Sequence, residues 1–65
     1  MNNLKKTRQL VACTQKKVSM NAKITERAYQ MYEKGDREPK VRTAIRIAQA
    51  LGTTVEELWG GNLIA

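Results

Sequence analysis

The stretch TQKKVSMNAKITERAYQMYEKG, residues 14–35, holds two short helical patterns separated by almost nothing. Thr14 stands as a cap before a helix of about residues 15–22, whose inner side is Val18, Ser19 and Ala22. Thr25 caps a second helix of about residues 26–33, with Tyr29 and Tyr32 three apart on its inner side. Only Lys23, Ile24 and Thr25 lie between them, a link short enough to force a sharp crossing.

Further helices flank this pair. Asn2 or Asn3 can cap a first helix of about residues 4–12, with Leu4, Thr7, Arg8 and Val11 on one face. Gly35 and Pro39 mark EKGDREP as a loop. A fourth helix of about residues 41–51 carries Val41, Ala44, Ile45, Ala48 and Leu51, and Gly52 follows as its terminating residue. Thr54-Val-Glu-Glu57 reads as a capping box opening a last short helix with Val55, Leu58 and Trp59. No run alternates with the period of a strand. The expectation is one all-α domain over residues 1–65, a five-helix bundle with its core in 3–59 and a short apolar tail in 60–65. Its helices 2 and 3 have helix-turn-helix geometry.

Charge is divided along the chain. All twelve Lys and Arg and four of the six acids fall in residues 1–46, a balance of +8. The remaining nineteen residues hold only Glu56 and Glu57, a balance of −2. Such a basic body suits phosphate-bearing partners, nucleic acid or anionic membrane. A membrane-surface domain fits less well, because the cations are spread over loops and helix ends rather than along one amphipathic face. No apolar run approaches the roughly 20 residues of a membrane span. The start, MNNLKKTRQL, lacks the apolar core of a signal peptide. Cys13 is alone, which excludes an intramolecular disulfide and suits a reduced, intracellular setting. With no His, no nucleophile–base pair and no glycine-rich phosphate loop, the chain reads as a non-enzyme with no metal, cofactor or small-molecule ligand.

The binding candidates follow from helix chemistry. Gln15, Lys16 and Lys17 stand at the front of helix 2, where backbone N–H groups and the helix dipole favour phosphate. The same lysines also read as a solvated pair. Lys34, Arg37 and Lys40 supply the following loop and suit phosphate, whereas Arg46 reads as plain surface.

The residues Leu4 to Trp59 resemble the Cro/C1-type (XRE-like) helix-turn-helix family of phage repressors and bacterial regulators. The resemblance rests on four pieces in order: NLKKTR at 3–8, TQKKV at 14–18, YQMYEKGDREP at 29–39 and TAIRIAQALGTTVEELW at 43–59. It implies that Gln15 and Thr25 bind DNA phosphate, and that Glu26, Arg27, Ala28 and Met31 face base edges. Lys34 takes the place of the family's usual Asn beside the phosphates. Arg8 and Glu33 match a buried ion pair, and Cys13 fills an apolar core position. Two departures concern glycine: Lys23 and Ala12 stand where the family places it, Lys23 at a turn of positive φ. Arg27 has the fork for guanine O6 and N7, and Glu26 accepts from cytosine N4. Alternatively, Glu26 is a first-turn acid that favours the helix dipole, and Arg27 a phosphate contact.

The resemblance further implies a cytoplasmic protein of a bacterium or its phage, a repressor binding double-stranded DNA as a homodimer on a near-palindromic operator. The expected dimer interface is Val55, Leu58, Trp59, Leu63 and Ile64. A competing reading makes the chain an antitoxin-like or adaptor protein whose apolar tail docks on another protein.

Overall fold

The computed structural model describes residues 2–60. Within them the chain forms five helices and no strand: α1 (Leu4–Leu10), α2 (Gln15–Asn21), α3 (Glu26–Lys34), α4 (Val41–Leu51) and α5 (Val55–Trp59). Three threonines set where α2, α3 and α5 begin. Thr14 Oγ1 accepts from the Lys17 amide at 3.0 Å, Thr25 Oγ1 from Ala28 at 3.1 Å, and Thr54 Oγ1 from Glu57 at 3.2 Å. Each such cap stabilises its helix by about 1 kcal/mol. At Thr54 only this half of the expected capping box forms.

The start of α1 is held differently from either expected cap. Asn2 Oδ1 accepts from the Leu4 amide at 3.0 Å, and Asn2 Nδ2 donates to the Tyr32 carbonyl at 2.7 Å. Asn3 reaches across the molecule: its amide donates to the Leu58 carbonyl at 2.9 Å and its Nδ2 to Glu57 O at 3.0 Å. The first helix is thus clasped to both α3 and α5.

Leu4, Val18, Ala22, Tyr29, Ala44, Ile47, Ala48, Leu51, Leu58 and Trp59 form one core. α2 lies between α3 and α4, α1 packs on α3, and α5 on α4. The inward stripe of α4 is Ala44, Ile47, Ala48 and Leu51, which corrects the expected face. Val41 and Ile45 are 52% and 45% exposed, whereas Ile47 is fully buried. Apolar residues at 41, 44, 45, 47, 48 and 51 fit two overlapping helical stripes, and packing against α2 and α5 selects the one through 47. Val11 is also exposed, because α1 stops at Leu10 and Val11 belongs to the turn.

Four helices end in a left-handed residue followed by the same pair of backbone bonds. Gly35 and Gly52 do this with φ of 81° and 71°. Ala12 and Lys23 do it without glycine, at 56° and 60°.

Candidate nucleic-acid interface

Tyr29 fixes the roll of α3. Its side chain is fully buried, and Tyr32 packs half-buried beside it. Helical spacing then turns residues 26, 27, 30 and 34 outward. Glu26, Arg27, Gln30 and Lys34 are all exposed. Ala28 and Met31 are both half-buried on the flanks of this face. Lys16, Lys17 and Thr25 stand at the fronts of α2 and α3, the two lysines exposed, and Arg37 and Lys40 are exposed in the loop after α3. Tyr29 lies on the inner side as expected, but its hydroxyl does not reach the edge of the core: it is buried and completes no hydrogen bond among the described residues. Burial, then the nearby Glu33 carboxylate, push its phenol well above its ordinary value.

Behind the exposed face runs a polar chain. Arg8 Nε donates to Glu33 Oε2 at 2.8 Å, and its Nη2 to Oε1 at 3.3 Å. Gln15 Nε2 donates to the same Oε1 at 3.0 Å. Burial alone would raise the Glu33 carboxyl, but the hydrogen bonds led by Arg8 outweigh it and hold the group below its ordinary value. Arg8 is held above its own in return, chiefly through its bond to Glu33. A third contact, Arg8 Nη1 to the Cys13 carbonyl at 3.0 Å, ties the link between α1 and α2. Cys13 itself packs partly buried against the core.

The turn between α2 and α3 has its own brace. Arg46 Nε donates to the Ala22 carbonyl at 3.0 Å, at the end of α2. Arg46 is therefore not plain surface: it satisfies a carbonyl that the helix leaves unpaired and sets a cation at the negative end of the dipole. Ser19 is buried where α2 meets its neighbours, its hydroxyl donating to Lys16 O at 2.8 Å.

Two shallow hollows flank α3. Lys5, Gln15, Gln30, Glu33 and Lys34 line one; Arg27, Gln30, Met31, Lys34 and Asp36 line the other. Gln30 and Lys5 escaped the sequence reading. Gln30 had a signal available, its place four residues after Glu26 on the same face. Lys5 had none beyond its charge.

The expected dimer surface needs correction. Leu58 is fully buried and Trp59 is 6% exposed, both within the protomer's own core, so neither has surface to offer a second copy. Val55 is partly buried against that core. Leu63 and Ile64 lie outside the described residues. No helix among the described residues is long and apolar enough to cross a membrane.

Comparison with known proteins agrees with this geometry. The family described as Helix-turn-helix matches residues 4–58. An uncharacterized HTH-type transcriptional regulator of Bacillus subtilis (strain 168), YqaE, is 39% identical over 60 residues. That alignment covers 92% of this chain and 52% of the relative, so the chain spans about half the length of the curated protein it matches.

Proposed function

The chain belongs to the XRE-like helix-turn-helix family, and from that premise we propose that it is a sequence-specific double-stranded DNA-binding transcriptional regulator. The observation that carries this reading is the division of α3. Tyr29 is sealed in the core while Glu26, Arg27 and Gln30 stand exposed in one row that Lys34 continues, beside a basic front on α2.

In this reading α3 lies in the major groove. Arg27 takes a guanine edge, Glu26 accepts from a cytosine, and Ala28 and Met31 offer apolar contact to thymine methyls. Gln15, Lys16, Lys17, Thr25, Lys34, Arg37 and Lys40 hold the two backbones, which sets register without reading sequence. Two copies on half-sites about one helical turn apart give a near-palindromic operator, and repression follows from occlusion of the promoter. The contact between copies is assigned to Val55 and the segment beyond residue 60.

Selection of bound duplexes from a random pool tests the proposal. An enriched palindrome is the expected result; no enrichment at moderate salt overturns sequence-specific binding and favours a protein partner. Arg27→Ala relaxes preference at one base position, by about 1–3 kcal/mol of lost discrimination. Lys34→Ala weakens all sequences alike and lowers the salt slope by about 1. An Arg27→Ala protein with unaltered base preference would show the readout assignment to be wrong.

A further inference from the structure

Gln30 lines both hollows flanking α3, and its amide is oriented by a chain that begins at the part-buried Arg8–Glu33 pair. The orientation follows from donor and acceptor counting. Arg8 only donates, and the ionised Glu33 only accepts. Gln15 must therefore turn its Nε2 toward Glu33 Oε1, as it does at 3.0 Å. Its own Oε1 is left facing α3, where Gln30 Nε2 donates to it at a long 3.4 Å. One N–H of Gln30 is thereby used. Its second N–H and its carbonyl oxygen have no partner among the described residues and lie on the exposed face.

We propose that Gln30 is a specificity-determining residue that reads adenine, with Gln15, Glu33 and Arg8 acting as its positioning residues. Adenine presents an acceptor at N7 and a donor at N6 in the major groove, and a glutamine amide with one free N–H and one free carbonyl matches both. The polarity matters because a freely rotating amide offers donor and acceptor in either order. An amide held by Gln15 offers them in one order. The inference rests on α3 lying in the major groove, as proposed above.

Selection from a random duplex pool again supplies the test, run with the wild-type chain and with Gln30→Ala, Gln30→Arg and Gln15→Leu. Gln30 is exposed, so its variants keep the fold, which circular dichroism checks. The wild-type motif is expected to contain an adenine position preferred by about 10-fold or more. Gln30→Ala abolishes that preference and leaves the other positions, while Gln30→Arg moves it to guanine. Gln15→Leu blurs the adenine position selectively. Loss of a phosphate contact alone would instead lower affinity for every sequence and keep the adenine preference, which would overturn the positioning chain. An unchanged motif with Gln30→Ala overturns the assignment of Gln30 while the regulator reading stands. Absence of any wild-type motif overturns both.

Discussion

Ala12 and Lys23 end α1 and α2 in the same hydrogen-bonded turn with which Gly35 and Gly52 end α3 and α4. In each, the left-handed residue donates three positions back and the next residue five back, as in Lys23 to Met20 O and Ile24 to Ser19 O. The difference lies in what supports them. A left-handed residue with a Cβ is strained by about 1–2 kcal/mol, and glycine is not. Both strained turns have an arginine on a neighbouring carbonyl: Arg8 on Cys13 O and Arg46 on Ala22 O. Among the described residues no arginine does this at Gly35 or Gly52. The α1–α3 region, which carries the proposed interface, is thus held by charged donors from a distance, while the turns around α4 hold themselves.

Removing the most connected brace separates the two regions furthest. Arg8→Met is expected to cost about 3 kcal/mol, since it strands the largely buried Glu33 carboxylate as well as freeing Cys13 O. The pH dependence identifies the cause. Glu33 is held below the usual 4.5, so its contribution is full above that value and is lost as pH falls through the depressed one. In the variant, protonation instead relieves a stranded charge. The gap between variant and wild type in denaturant unfolding should therefore close in acid. A gap that persists unchanged in acid would mean that lost packing, not charge, was responsible.

Arg46→Met is expected to cost less, about 1.5 kcal/mol, for one charge-assisted bond to a part-buried carbonyl. Its cost should shrink in a Lys23→Gly background, where the turn no longer needs holding; strict additivity would uncouple the brace from the strain. The smallest effects belong to the turn residues themselves. Lys23→Gly should gain about 0.5–1 kcal/mol, and Gly52→Ala should lose about 1 kcal/mol, both read from thermal unfolding. Equal and opposite shifts would sharpen the comparison; a loss from Lys23→Gly would break it.

Much of this is legible in the sequence. The three threonine caps and the span of α4 are local signals, written within a few residues of where they act, whereas the left-handed turn at Lys23 is implied by the family resemblance alone. The rest is long-range. Nothing near Arg46 indicates that it reaches the Ala22 carbonyl 24 residues away. Nothing near Asn3 points to Glu57, 54 residues on. Periodicity could not separate Ile45 from Ile47, because both sit in apolar stripes that helical spacing allows. Gln30 was missed for another reason: an exposed amide on a helix has no marked composition, and its orientation depends on Gln15 and Glu33. Leu58 and Trp59 are readable as apolar, but composition alone does not say whether an apolar side chain serves its own protomer's core or a second copy.

The Asn3 clasp makes one end of the sequence a support for the other. A five-residue helix such as α5 is far too short to persist by itself. Two of its last carbonyls, on Glu57 and Leu58, receive their hydrogen bonds from Asn3. An affinity tag or trimming that disturbs the first three residues therefore acts at α5, loosening the seal over the chain's single tryptophan, Trp59. The emission of that indole is a built-in reporter on the integrity of the amino terminus.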